Sequence, residues 1–216
     1  MLDFWKSDVG KVALGGVIAV IGQLTATLVA WLKEARFAAA KERKDAEYLA
    51  IRLVLVLDGL VSACFNAVHD PLMEDQDGVT ESTVPDPTLT LPADGDYKAL
   101  PRRLMYEVLS MPNKLEGIKG GLAATADISG PPDYTEYYEY REEHWSKLGL
   151  KALDLIDTLC RQYKIAPPER PAHYTPRESF RDVLTKLADF ERARNERNAA
   201  MWAQLPKATA ASPKVP

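Results

Sequence analysis

The hydrophobic and polar positions near the start of the chain form a long uncharged run followed by a charged stretch. Residues Val12 to Leu32 are 21 consecutive residues without a charged side chain. As an α-helix this run would rise about 31 Å, which is close to the ~30 Å hydrocarbon core of a bilayer. The pattern predicts a transmembrane helix over residues 12–32, preceded by a short extracytoplasmic N-terminus, residues 1–11.

Three other kinds of segment compete with a membrane span. A cleaved signal peptide has a shorter apolar region of ~7–15 residues and a small-residue cleavage site directly after it. A helix lying in the membrane interface carries a charged face, which this run lacks. A buried core helix is the third alternative, and 21 uncharged residues are long for one. We therefore expect a true span.

The basic residues around the run predict its orientation, because Lys and Arg concentrate on the cytoplasmic side of a span. Lys6 and Lys11 precede the run. The basic residues that closely follow it are Lys33, Arg36, Lys41, Arg43 and Lys44. This asymmetry predicts a bacterial inner-membrane protein with its N-terminus outside and the bulk of the chain in the cytoplasm.

On a helical wheel the small and the large residues of the predicted span fall on opposite faces. Helices associate in lipid where small residues let backbones approach and where polar side chains hydrogen-bond. The amide of Gln23 near mid-bilayer needs such a partner, and the sequence shows no second span. We therefore expect a homo-oligomer. The alternative is that the small residues share a face by chance, because glycine and alanine are common in membrane helices. The pattern does not decide whether such an oligomer would be a packed bundle or a polar-lined pore. The predicted association face consists of Gly15, Gly16, Ala19, Gly22, Gln23, Ala26, Thr27 and Ala30.

The rest of the chain predicts an all-α fold in which the span continues into a cytoplasmic antiparallel helical bundle of about four to five helices. Strong helix formers after Leu32 extend the span into a stalk and first bundle helix, residues 33–69. Within it, Ala50–Val68 contains Arg52 and Asp58, which favours a core helix over a second span. An acidic, proline-rich loop at residues 70–96 includes a predicted short strand at Thr88–Leu91.

Residues 97–205 are predicted to supply the remaining helices of the bundle, and residues 206–216 a disordered tail. One helix has a core stripe with a spacing of three and four residues from Trp145 to Tyr163. The last begins with a capping box, Thr175 to Glu178, with proline at its first helical position. The predicted helices cover Tyr97–Met111, Pro112 to about Asp127, Asp133–Tyr163, and Pro176 to about Leu205.

Charge and cysteine usage exclude some functions and compartments. The net charge is −4 and the pI is about 5.5, and the basic residues alternate with acidic ones. A nucleic-acid partner is therefore not expected. Cys64 and Cys160 both lie in apolar helical contexts, which predicts buried free thiols in a reducing compartment.

The candidate chemistry is weak, and we predict no enzyme, no cofactor and no metal. The three histidines, His69, His144 and His173, have no ligand partner at metal-binding spacing. Pro85-Asp86 and Asp96-Tyr97-Lys98 match the spacing of a metal-dependent nuclease motif. Such a site needs its carboxylates and lysine on adjacent strands, and the sequence of this loop does not predict adjacent strands.

Four tyrosines at the start of one predicted helix, Tyr134, Tyr137, Tyr138 and Tyr140, form a candidate partner surface, because tyrosine is enriched at interaction sites. Inward packing of their rings is the alternative. Together these patterns predict a single-pass membrane protein that self-associates and binds a cytoplasmic protein partner, in the manner of a membrane effector or regulator. A passive anchored scaffold, or an anchored enzyme that uses the 70–96 loop, are the alternatives.

Overall fold

The computed structural model describes residues 8–131 and 134–204, with side chains described from Thr27 to Ala203 and at Gln23 and Thr25. The chain is mostly helical, with 73% helix and 2% strand, which confirms the all-α class. It divides into two compact units. Of the described residues, the first contains 8–49 with 95–101, and the second contains 50–94 with 102–131 and 134–204.

Five α-helices and one short hairpin make up the described part of the chain. The hairpin pairs β1 (Met73–Glu74) with β2 (Thr80–Glu81) in antiparallel register. A single 3-10 turn, Tyr97–Ala99, precedes the second helix. The helices are α1 (Asp8–Val68), α2 (Arg102–Leu109), α3 (Met111–Ile128), α4 (Thr135–Tyr163) and α5 (Pro176–Gln204).

Helix α1 meets the length and composition requirement for a membrane helix. Its part from Thr27 to Val68 contains a segment that is apolar and long enough to cross a membrane, and 44% of that segment is buried inside the protein. Core helices of soluble proteins meet the same requirement. The buried segment is the region predicted as a core helix: Leu53, Leu57 and Val61 have no exposed surface.

The core of the second unit is built by helices that pack in sequence order, with α3 against α4 and α4 against α5. The predicted stripe of α4 is buried, because residues three and four apart lie on one helix face. Tyr163, the last residue of that stripe, is only half-buried. The stripe residues that the structure buries are Trp145, Leu148, Ala152, Leu155, Ile156 and Leu159.

Helices α4 and α5 approach closely at Gly149. Phe180 of α5 is completely buried, and its ring occupies the space where a side chain at Gly149 would begin. A Cβ atom placed on Gly149 would lie 2.4 Å from the Cε2 atom of Phe180. Glycine at this position therefore lets the ring sit against the α4 backbone.

Two local predictions are wrong. Thr88–Leu91 forms no strand; the hairpin lies earlier, where Gly78 adopts a φ of 75° that favours glycine. The helix predicted from Tyr97 is broken at Pro101, because the residue before a proline is excluded from the helical region. Ser110 precedes α3 but does not cap it: its hydroxyl donates to the Glu107 carbonyl.

Candidate functional site

Arg141 of α4 is only 2% exposed, and its guanidinium makes several hydrogen bonds inside the second unit. Its Nη1 donates to the Ala67 carbonyl at 2.6 Å, and its Nη2 donates to the Val84 carbonyl at 2.8 Å. Its guanidinium also pairs with Asp70 at 3.3 Å and with Asp86 at 3.2 Å. These five residues, the Arg141 cluster, fasten the 70–96 loop and the end of α1 to α4.

The Asp70 carboxylate is enclosed by donors as well as by Arg141. Its side chain is only 2% exposed. It accepts hydrogen bonds from the hydroxyls of Ser82 and Thr83 and from the backbone N–H groups of Leu72 and Val84. Burial alone would raise the pKa of this carboxyl, but these hydrogen bonds outweigh it and hold the pKa far below its usual range.

Asp70 should therefore make the protein sensitive to acid. Because its pKa is lower in the folded state than in the unfolded state, its stabilising effect is present above about pH 4 and is lost as the pH falls below that value. We expect Asp70→Asn to weaken the fold at pH 7 and to reduce the further loss between pH 4 and pH 2. Urea unfolding of the full chain in mild detergent measures both effects.

Asp94 supplies the matched control for this pH experiment. Its pKa is also lowered, by the hydrogen bond from Arg52, but its side chain is 74% exposed. Asp94→Asn should leave the acid profile close to that of the parent chain, because exposed ion pairs contribute little. An Asp70→Asn profile parallel to that of the parent would show that this carboxylate is not the acid-sensitive group.

The structure gives the four tyrosines separate roles rather than one shared surface. Tyr138 donates from its hydroxyl to the Thr80 carbonyl of β2 at 2.9 Å and stacks edge-on against Tyr137. Tyr134 is the residue before α4 and has a left-handed backbone, with a φ of 47°. Tyr140 faces another way and stacks on His144, with ring centroids 3.7 Å apart.

Tyr140, His144 and Lys147 form a row along α4, the α4 ridge, with a groove on each side. The groove between α4 and α5 has a volume of about 550 Å³, and its lining includes Glu139 and Arg194, which pair at 2.9 Å. The groove between α3 and α4 has a volume of about 360 Å³. Tyr140 and Lys147 line both grooves.

The two grooves differ in their charged lining, because the α4–α5 groove also contains Glu136, Glu139, Glu143 and Glu191. The α3–α4 groove combines apolar Ile118 and Leu148 with Lys114 and Lys151, and it contains no carboxylate. Lys147 pairs with Glu143 at 2.5 Å on the ridge itself. Apolar surface surrounded by a few polar groups is typical of interaction sites. Of the four predicted tyrosines, only Tyr140 belongs to this candidate partner surface.

The predicted association face lies mostly outside the described side chains, which do not include those of Gly15, Gly16, Ala19, Gly22 and Ala26. Its three described members, Gln23, Thr27 and Ala30, are exposed. The Thr27 hydroxyl donates to the Gln23 carbonyl at 2.9 Å. Large apolar side chains beside them are exposed as well, with exposed fractions of 56% for Leu28 and 62% for Trp31.

The titratable residues considered for catalysis are dispersed. The Asp86 carboxylate pairs with Arg141, whereas Asp96 accepts a hydrogen bond from the Lys98 N–H and caps the 3-10 turn. His69 hydrogen-bonds the Ser179 hydroxyl at 2.6 Å. Within residues 8–131 and 134–204, no three His, Cys, Asp or Glu side chains group as metal ligands would.

The two cysteines are buried and unpaired, as predicted. Burial raises the pKa of the Cys64 thiol to about 12 and also raises that of Cys160. A thiol with a raised pKa is a poor nucleophile, because the thiolate is the reactive form. Both residues therefore act as small core side chains.

Arg141 is the functional residue that the sequence reasoning missed. The available signal was its spacing: Arg141 lies four residues before Trp145 and seven before Leu148, on the core face of α4. An arginine at a core position needs buried partners, which the 70–96 loop supplies.

Comparisons of this chain with protein-family models, with curated proteins and with solved structures give no match.

Proposed function

We propose that this chain is a single-pass inner-membrane protein that self-associates through α1 and uses an antiparallel cytoplasmic helical bundle to bind a protein partner. The observation that carries the proposal is the exposure of large apolar residues at the end of the uncharged run. Leu28, Val29 and Trp31 are each at least half exposed, directly before Lys33. Lipid would cover such a surface, and tryptophan and lysine suit the interface where a span ends.

The proposed orientation places the N-terminus outside and the bundle in the cytoplasm, on the asymmetry of Lys and Arg around the run. The buried free thiols are consistent with a reducing compartment. The α4 ridge and its two grooves are the proposed partner surface. A regulator or effector that acts by oligomerising uses both features, the association face and the partner surface.

A passive anchored scaffold is the second candidate, and the ridge supports it equally because a scaffold also needs a partner surface. An anchored enzyme that uses the 70–96 loop has less support. Asp70 and Asp86, two carboxylates of that loop, are both paired with Arg141. Such pairing holds them in a structural role.

The self-association can be tested by changing the small face of the span. Gly22→Ile combined with Gln23→Leu should abolish the oligomer, because the added bulk blocks close backbone approach and the hydrogen-bonding amide is lost. The measurement is chemical crosslinking in native membranes, supported by a membrane two-hybrid assay. Loss of a cellular phenotype together with the oligomer would favour the effector over the scaffold.

The matched control changes the opposite face in the same way. Leu24→Ile combined with Thr25→Leu also replaces a neighbouring pair and removes a polar side chain, yet it should leave the oligomer intact. An oligomer that survives the Gly22 and Gln23 changes would contradict the proposed interface. A chain that alkaline carbonate extracts from membranes would contradict the span itself.

A further inference from the structure

Beyond the predicted span, α1 carries a row of large apolar side chains that the protein leaves exposed. The exposed fractions are 75% for Phe37, 64% for Tyr48, 40% for Ile51 and 66% for Leu55. Exposed apolar side chains that line up along one element mark an interaction surface. These four residues are called the α1 stripe.

The spacing of the stripe is that of a coiled-coil seam. Tyr48, Ile51 and Leu55 are separated by three and four residues, which keeps them on one side of a helix. Neighbouring positions of α1 that face elsewhere, such as Leu53 and Leu57, are completely buried. Around Ile51 and Leu55 the stripe is therefore the outer side of a helix whose inner side packs in the core, whereas every residue from 27 to 45, Phe37 included, is exposed.

The same three-and-four spacing continues backwards into the predicted span. Counting from Leu55, the seam positions pass through Tyr48 and Phe37 and reach Ala30, Thr27 and Gln23, with the charged residues Lys44, Lys41 and Glu34 at the positions between them. Those last three residues belong to the predicted association face and are exposed. The same sequence spacing therefore includes small residues of the span and large residues of the stripe.

We propose that a second copy of this chain covers the α1 stripe, in parallel and in register, so that the association begun in the membrane continues outside it as a coiled coil. This inference rests on the proposed function and names the partner of α1. Two copies anchored with the same orientation present their α1 helices in parallel, which brings each stripe residue opposite its own copy. Leu55 and Ile51 then meet in successive layers.

Charges beside the stripe complement this arrangement. In a parallel coiled coil, the residue before one seam position lies near the residue five positions later in the other helix. Glu47 precedes Tyr48, and five positions later stands Arg52, which also pairs with Asp94 at 2.7 Å. Opposite charges at these positions favour the parallel, in-register pairing of two identical helices.

Cysteine crosslinking of the full-length protein in native membranes tests the proposal. Leu55→Cys, Ile51→Cys and Lys44→Cys lie on the seam, whereas Arg43→Cys is equally exposed but faces away from it. Under mild oxidation the seam variants should form disulfide-linked dimers several-fold faster than Arg43→Cys. The parent chain should form none, because Cys64 and Cys160 are buried.

Thr27→Cys reports on the span separately from the stripe. Dimers at Thr27 with none at Leu55 would overturn the stripe while leaving association of the span in place. Dimers at Leu55 with none at Thr27 would support the stripe and contradict the proposed span interface. Equal rates at Arg43 and Leu55 would indicate random collision and overturn the inference.

Ile51→Glu with Leu55→Glu, both at exposed positions, should abolish the Lys44→Cys dimer, and its persistence would overturn the inference.

Discussion

Replacing Arg141 by methionine is expected to lower the free energy of unfolding by about 3–5 kcal/mol. The change leaves the 2%-exposed Asp70 carboxylate without its cationic partner and removes the donors to the Ala67 and Val84 carbonyls. An uncompensated buried charge is costly because it has lost its hydration without gaining a partner. Chemical unfolding of the full chain in mild detergent, followed by circular dichroism, measures the loss.

Arg52→Met is the control for this prediction. Arg52 also pairs with an aspartate, but that aspartate, Asp94, is 74% exposed. Removal of such an exposed pair should cost much less, because solvent screens it. Adding Asp70→Asn to Arg141→Met should recover part of the lost stability, since the buried charge left without its cation is then removed while an acceptor oxygen stays in place. Equal losses for Arg141→Met and Arg52→Met would contradict the buried role of the Arg141 cluster.

Replacing Phe180 by alanine is the second change with a large expected effect, a loss of about 3–5 kcal/mol. The ring is completely buried and fills the space above Gly149, so its removal leaves a cavity between α4 and α5. Gly149→Ala should lower the stability by about 1–3 kcal/mol through overpacking rather than through a cavity, because its new Cβ overlaps the ring. Thermal unfolding of both variants measures these losses.

The two changes should compensate each other. With Phe180→Ala already present, Gly149→Ala should be neutral or stabilising, because the ring that it overlapped is gone. Gly117 of α3 provides a control: a Cβ there meets nothing within 4 Å, so Gly117→Ala should stabilise by up to about 1 kcal/mol. Independent, additive effects of Gly149→Ala and Phe180→Ala would show that the close approach of the two helices is not what requires glycine.

The sequence predicted the helices best where local signals were strong. The core stripe of α4 has the spacing of one helix face, and α5 begins at Pro176 as its capping box predicted. Boundaries near Tyr97 and at Tyr134 were less accurate. At Tyr134 the chain turns through a left-handed conformation that a tyrosine rarely adopts, which no propensity would have indicated.

The interior of the 70–96 loop could not be predicted, because long-range contacts shape it. From the sequence, Asp70 is expected to be a solvated loop residue and Arg141 to be one member of a charged run. Only the folded chain shows that they meet. Long-range contacts also decide where the tyrosines lie. Tyr138 hydrogen-bonds the Thr80 carbonyl and Tyr140 lines a groove, although both belong to one short sequence pattern.

The contacts of Arg141 also set an order on the synthesis of the protein. The carbonyl of Ala67 is 74 residues away from its donor in the sequence, and the Asp70 carboxylate is 71 residues away. While the ribosome is still making those intervening residues, the end of α1 and the 70–96 loop lack the guanidinium of Arg141. This part of the nascent chain can therefore bind Arg141 only after the first turns of α4 have been made, and a chain truncated before Arg141 would lack the contacts that fasten the loop to α4.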